Sequence, residues 1–286
     1  PAYNMGEMEN SGFELDVNYR NNIRDFNYWG RFNYSFARNK ILFQDEVPEK
    51  YAYQMRTGRR VGQFYGLLFD GFYNTWEEIN ALDRPVSSWN GNRLQPGDMR
   101  YVDVNKDGKI DMYDMVPIGY SPTPEIIYGF SFGCNWRGFD FSALFQGADH
   151  VSIKYFGRAL WPFVVGHNSA KTLILDRWTQ ERYDNGEPIN LSPSRDTDNN
   201  YQDSNFWIRN ANYLRLKNIE LGYTFNRKQL KALGLESLRL YISGTNLFTW
   251  TDVIDLDPEA PSKGGATEIN TYPLQKIYNI GLNIQF

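Results

Sequence analysis

Ile126-Ile127-Tyr128-Gly129-Phe130-Ser131-Phe132-Gly133-Cys134-Asn135-Trp136-Arg137-Gly138-Phe139-Asp140-Phe141-Ser142-Ala143-Leu144-Phe145-Gln146-Gly147 reads as two long strands joined by a minimal corner. In the first, Ile126, Tyr128, Phe130, Phe132 and Cys134 alternate with Ile127, Gly129, Ser131, Gly133 and Asn135. In the second, Phe139, Phe141, Ala143 and Phe145 alternate with Asp140, Ser142 and Gln146. Period-two alternation over both strands predicts a hairpin with one apolar and one polar face. The strands exceed the ~5–6 residues usual in globular sheets and match the ~9–11 that carry a tilted strand across a bilayer. The apolar face is richer in rings than in branched aliphatics, as on a transmembrane strand.

The same pattern recurs on both sides. Phe13, Leu15, Val17 and Tyr19 alternate with Glu14, Asp16, Asn18 and Arg20. Phe26, Tyr28, Phe32, Tyr34 and Phe36 stand against Asn27, Arg31, Asn33 and Ser35. Leu214 and Leu216 give way to Ile219, Leu221, Tyr223 and Phe225, so the parity slips near Lys217-Asn218, where a β-bulge is expected. Leu238, Leu240 and Ile242 form another such strand. Tyr278, Ile280, Leu282, Ile284 and Phe286 form the last, against Asn279, Gly281, Asn283 and Gln285. Crossings therefore begin near residues 13, 26, 126, 139, 213, 236 and 276, seven in all. Short connections at 21–25, 136–138 and 226–235 alternate with long ones at 38–124, 149–212 and 249–273, the asymmetry of outer-membrane barrels. A short helix is expected near 169–182. The apolar piece at 61–73 is rejected as an eighth crossing, because Gly62, Gly66, Asp70 and Gly71 interrupt it. Bacterial single-chain barrels use even strand numbers, so the seven are expected to be the C-terminal part of a larger barrel.

Composition agrees. Apolar residues make up 41%, and no run nears the ~18 apolar residues of a membrane helix. Aromatics reach 16%, which suits ring girdles at two membrane interfaces and equally a carbohydrate-binding β-sandwich. A net charge of -4 argues against nucleic acid as a partner. Cys134 is the single cysteine and falls on an apolar face, so it acts as a small hydrophobe. With His150 and His167 the only histidines, a zinc site within the chain is not expected. No signal peptide opens the sequence.

Several motifs, in order, carry a family resemblance: Asn10-Ser11-Gly12-Phe13-Glu14, the run from Tyr101 to Asp111, Tyr128-Gly129-Phe130, Gly138-Phe139-Asp140, Phe145-Gln146-Gly147, Tyr213-Leu214-Arg215-Leu216-Lys217-Asn218-Ile219, Leu221-Gly222-Tyr223, Asn246-Leu247-Phe248 and Asp257-Pro258-Glu259. Together with the terminal Phe286, the chain resembles the C-terminal part of SusC/RagA-type TonB-dependent transporters. That resemblance implies an outer-membrane barrel of roughly twenty-two strands with an N-terminal plug. It further implies a Gram-negative outer-membrane location and a SusD-like surface lipoprotein as lid. It also implies import of oligosaccharides or peptides driven by TonB. The plug and the earlier strands would precede residue 1.

The strongest chemical motif is Asp103-Val104-Asn105-Lys106-Asp107-Gly108-Lys109-Ile110-Asp111-Met112-Tyr113-Asp114, which has Ca²⁺-loop spacing. Asp103, Asn105 and Asp107 would offer side-chain oxygens, and Lys109 its carbonyl. Asp111 would add a direct or water-mediated contact and Asp114 the closing carboxylate, where an EF-hand has Glu. An Asx-rich turn capping its own backbone uses the same residues. Trp76, Trp89, Trp161, Trp178 and Trp207 lie in or beside the long loops, where rings stack on sugars or on one another. Glu14, Asp16, Arg20, Arg31 and Asp140 on the polar faces would contact substrate, or simply line a wet lumen. No catalytic constellation emerges. The sequence predicts a transporter barrel in contact with outer-membrane lipid rather than an enzyme, the alternative being a secreted or surface glycan-binding β-protein.

Overall fold

The computed structural model describes residues 5–89, 93–156, 161, 174–192, 198–227, 229–254, 256–259, 266–267 and 274–286. Alternation in the sequence becomes seven long strands: β1 (Glu7–Ile23), β2 (Phe26–Phe43), β3 (Ile126–Trp136), β4 (Phe139–Asp149), β5 (Tyr213–Asn226), β6 (Ser237–Thr251) and β7 (Ile277–Gln285). They form one sheet whose spatial order is the chain order, every neighbour antiparallel. β1 and β7 are its two edges and do not pair with each other among the described residues. The β3–β4 corner needs left-handed backbone at both central residues, and Arg137 (φ 47°) and Gly138 (φ 93°) supply it.

Cross-strand register sorts the faces as the alternation predicts. Phe139 stands opposite Trp136 and Tyr223, and Phe141 opposite Cys134 and Leu221. Phe145 meets Phe130 and Leu216. Ring centroids lie 4.6 Å apart for both Phe130–Phe145 and Phe139–Tyr223. On the other face Asp140 pairs with Asn135 and Gly222. Farther along, Ile280 pairs with Ile242 and Leu282 with Leu240, whereas Asn279 meets Ser243 and Asn283 meets Arg239. The register shifts between Leu216 and Asn218, so the expected bulge keeps Leu216 and Ile219 on one face.

Among the described residues nothing covers this apolar face. Phe13 is 58% exposed and Ile280 89%. An apolar surface running across seven strands exceeds the few hundred Å² that soluble monomers expose. Such a face suits lipid, and the opposite, charged face suits water.

The long connections depart from expectation in extent and in order. β2 runs to Phe43, β4 to Asp149 and β6 to Thr251, so the excursions span 44–125, 150–212 and 252–276 rather than 38–124, 149–212 and 249–273. Polar residues such as Arg38, Asn39 and Lys40 end no strand here, because β1 continues the ladder opposite them. Nor are the excursions structureless. Phe64–Gly66 pairs with Val116–Ile118 and Phe69–Phe72 with Met99–Tyr101, which uses up the 61–73 segment without a crossing. Ser152–Tyr155 lies between Ile208–Asn210 and Ala266–Thr267. One buried cluster joins all three excursions: Leu67, Met99 and Tyr101 from the first, Ile153, Leu191 and Trp207 from the second, and Val253 from the third. The hydrophobic core of the described chain thus lies in this cap, at the end of the sheet away from the short turns. Thr179 caps a helix at Gln180–Asp184, which overlaps the expected 169–182 only at 180–182, and residues 174–179 are not α-helical. Residues 169–173 lie outside the described residues.

Candidate functional site

The site is the polar face of the wall together with the cap that sits at its upper end. On the wall, alternation fixes Asp16, Arg31, Asp140, Glu220 and Arg239 on one face, and they pair across strands. Arg31 on β2 reaches Asp16 on β1 at 2.8 Å. Arg239 on β6 reaches Glu220 on β5 and Asp140 on β4, both at 2.5 Å. The latter bond passes over β5 at Gly222, where a Cβ would lie 2.7 Å from Arg239 Nη2 and from both Asp140 oxygens. Glycine in Leu221-Gly222-Tyr223 is therefore needed to let a guanidinium span three strands. Glu14 and Arg20 are exposed.

Two clasps tie the cap to the wall. Glu125, just before β3, has a buried carboxylate gripped by Arg38 from β2 at 2.8 Å and by Arg60 from the first excursion. His150 Nδ1 lies 3.2 Å away, its ring stacked on Tyr120 with centroids 4.5 Å apart. Burial opposes ionisation of Glu125, but the hydrogen bonds from Arg38 and Arg60 outweigh it and hold the carboxyl below the usual range. The second clasp centres on Arg215 of β5, itself buried. It donates to Asp257 at 2.8 Å, to Glu259 at 3.0 Å and to Thr249 at 2.8 Å. Lys217 and the Tyr213 hydroxyl also bind Glu259, at 2.8 and 2.7 Å. Two motifs far apart in sequence, Tyr213 to Ile219 and Asp257-Pro258-Glu259, thus meet in one network. Nothing in the local sequence around Glu125 announced the first clasp.

The first excursion is closed by Glu46, which accepts from the Thr57 and Arg56 amides at 2.8 and 3.0 Å and from Gln44 at 3.0 Å. Hydrogen bonding from Thr57 leads, and the carboxyl is held at about 2.

Residues 103–114 fold as a compact loop beside the cap core. Asp103 accepts from the amides of Lys106 and Gly108 at 2.7 and 2.8 Å, and Asn105 from Asp107 at 2.9 Å. Asp107 accepts from the Lys109 amide and Asp111 from the Tyr113 amide. Asp114 is buried and accepts from the amides of Val104 and Asp111, both at 2.9 Å. Burial raises the Asp114 carboxyl above its ordinary value despite these bonds. The side chains are thus engaged with their own backbone, and among the described residues no three His, Cys, Asp or Glu are gathered as for a metal ion.

Of the tryptophans, Trp207 is buried and donates its indole N–H to the Asn200 carbonyl at 2.7 Å. Trp161 packs against Tyr201 and Trp207, and Trp89 against the cap core. Trp178 is half-buried with its side chain against Gly97, and Trp76 remains 56% exposed. His167 lies outside the described residues.

An antiparallel meander with one lipid-facing surface, one wet surface and all long excursions at one end is the wall of a transmembrane β-barrel. No family model matches the chain. Among curated proteins it is similar to TonB-dependent receptor P3 of Formosa agariphila, 27% identical over 305 residues that cover 99% of this chain and 29% of that protein. TonB-dependent receptor P26 of the same organism is 29% identical, with 99% and 30% covered. TonB-dependent receptor SusC of Bacteroides thetaiotaomicron is 25% identical, with 99% and 27% covered. Among solved structures, the RagAB peptide importer in its open-open state superposes with a TM-score of 0.69 at 23% identity, over 98% of this chain and 29% of that one. The chain thus resembles SusC/RagA-type TonB-dependent transporters from end to end, and it spans about three-tenths of the length of the curated relatives it matches.

Proposed function

We propose that the chain is the C-terminal portion of an outer-membrane barrel that imports oligosaccharides or peptides by a TonB-dependent route, with a SusD-like lipoprotein as its surface partner. The observation that carries this is the pairing of an uncovered apolar face with a charged opposite face on one seven-stranded sheet. Further strands would complete the wall at the free edges of β1 and β7, and a plug would fill the lumen. No enzymatic role is proposed. The TonB-dependent receptors and the peptide importer named above support transport, and they leave the substrate open between glycan and peptide. The exposed apolar face speaks against the secreted glycan-binding protein, which would have to shield it from water. A structural Ca²⁺ at residues 103–114 fits the spacing of Asp103, Asn105, Asp107, Lys109, Asp111 and Asp114. Asp103 Oδ1 and Asp114 Oδ1 each already accept from two amides, so the second oxygens of these carboxylates and that of Asp111 would carry more of the coordination.

The test is deletion of the gene for the full-length protein, followed by growth on oligosaccharide or on peptide as sole carbon source. Loss of growth on one, restored by the wild-type gene and not by one lacking the TonB-contacting segment, is expected. Unchanged growth and uptake on both would refute import.

A further inference from the structure

Arg56-Thr57-Gly58-Arg59 makes a tight turn in the first excursion. The Arg59 amide donates to the Arg56 carbonyl at 2.9 Å, and Gly58 takes the left-handed backbone (φ 86°) that suits the third position of such a turn. The turn is pinned on both sides. Glu46 takes the Arg56 and Thr57 amides, and Gly58 and Arg59 bond to the Ile41 backbone near the end of β2 at 2.7 and 2.9 Å. As first and fourth residues of one turn, Arg56 and Arg59 have Cα atoms less than about 7 Å apart. Burial raises the Tyr65 hydroxyl above its ordinary value while the Arg59 and Arg56 charges pull it down, so both guanidinium groups lie toward the same oxygen.

The turn walls a cavity of about 420 Å³ whose apolar lining is Met8, Ile41, Phe43 and Val61. Met8 pairs with Ile41 in the same parity as Asp16 with Asn33, so this pair continues the polar face of the wall toward the cap. Most polar side chains of the cavity are already engaged. Arg60 binds Glu125 and lies 5.0 Å over the Tyr120 ring. Gln63 donates to the Ile118 carbonyl at 2.9 Å, Tyr65 to the Met55 carbonyl at 2.8 Å and Gln44 to Glu46 at 3.0 Å. Three are not: among the described residues Arg56, Arg59 and Glu7, which also line the cavity, make no side-chain hydrogen bond or ion pair.

We propose that this cavity is a subsite for the C-terminal end of an imported peptide, its carboxylate paired with Arg56 and Arg59 and its last side chain set against Met8, Ile41 and Phe43. The proposal deepens the import reading and rests on it. Two neighbouring guanidinium groups suit a carboxylate, because each offers a planar fork of donors. Glu7 narrows the ligand further. Its carboxylate repels an oligosaccharide charged at every sugar, yet accepts the amides that a peptide carries beside its terminal carboxylate. A neutral glycan would leave both guanidinium groups without a counter-charge.

The test titrates the full-length protein in detergent, by calorimetry, with the pentapeptide tetraalanyl-leucine as free acid and as C-terminal amide, and with hexagalacturonate and maltohexaose. The free acid should bind at least tenfold tighter than the amide and than either oligosaccharide. Arg56→Gln and Arg59→Gln should each weaken it about fivefold, the upper worth of one exposed charge pair, and together at least tenfold. Neither should alter binding of the amide. Both side chains are exposed, so these variants should fold as the wild type does, and Lys231→Gln, an exposed cation at the short-turn end, should change nothing. Equal binding of acid and amide, or a preference left intact in the double variant, overturns the proposal. So does tighter binding of either oligosaccharide, or no binding of the peptide. Growth separates the two ideas: gene-dependent growth on peptide or oligosaccharide without this binding confines the failure to the cavity, and growth independent of the gene on both removes import as well.

Discussion

Arg215 on β5 lies 2.8 Å from Asp257, a residue of the third excursion 42 positions further along the chain. The guanidinium is almost completely buried, so removing either partner strands charge away from water. Arg215→Ala should destabilise the protein by about 3–5 kcal/mol, the range for breaking a buried pair on one side. Arg215→Lys should recover only part, since an ammonium lacks the planar fork that serves two carboxylates. Thermal unfolding in detergent, with hydrogen exchange over residues 252–259, reads both, and unchanged protection there would refute the clasp.

Gly222 should tolerate no side chain. Gly222→Ala puts a methyl between Arg239 and Asp140 and should cost roughly 1–3 kcal/mol, comparable to a charged hydrogen bond. A double-mutant cycle with Asp140→Asn should then show strong coupling, and additive effects would mean that Arg239 does not depend on this passage.

The sign of the pH response follows from Glu46, whose carboxyl is depressed from 4.5 to about 2, chiefly by the hydrogen bond from the Thr57 side chain and then by the Arg56 and Thr57 amides. Its contribution is fully present above pH ~4.5 and is lost as pH falls through about 2. Near-UV circular dichroism should report loosening of the 44–61 segment across that window. Glu46→Gln should be flat there, and a transition of equal size in that variant would exclude Glu46 as its source.

The two faces should respond oppositely to charge. Ile280→Arg, on the apolar face, should lower folding into lipid vesicles by roughly 2–4 kcal/mol if it sits near mid-bilayer, whereas Asn279→Arg, one residue earlier, should fold almost normally. The yield of the heat-modifiable band measures this, and equal tolerance of both would contradict the sorted faces.

Calcium is expected to raise the thermal midpoint of the full-length protein, and Asp103→Ala with Asp107→Ala should abolish that rise. A midpoint indifferent to millimolar Ca²⁺ would leave residues 103–114 as a self-capped turn.

The wall was legible in the sequence because a strand has only two faces and each faces a different solvent. Phe139 through Phe145, and the slip at Lys217, were sufficient to place strands, faces and bulge. The cap was not legible. Leu67, Trp207 and Val253 become core only by meeting residues from other excursions, a tertiary fact that no local period encodes. Glu125 was equally silent, since its partners Arg38, Arg60 and His150 are scattered over more than a hundred positions. The Asp103 loop was found by its spacing, and spacing alone does not separate a metal ligand from a residue bonded to its own backbone.

Because the cap core draws Leu67, Ile153 and Val253 from three separate excursions, its order of assembly is constrained. The first excursion can form its own strand pairs, but the shared cluster cannot close until its partners are delivered to the same end of the sheet. β2 to β6 must therefore all have crossed before the cap closes, so a cap resistant to protease certifies a threaded wall. A late-crossing strand left behind would be exposed as an open, degradable cap.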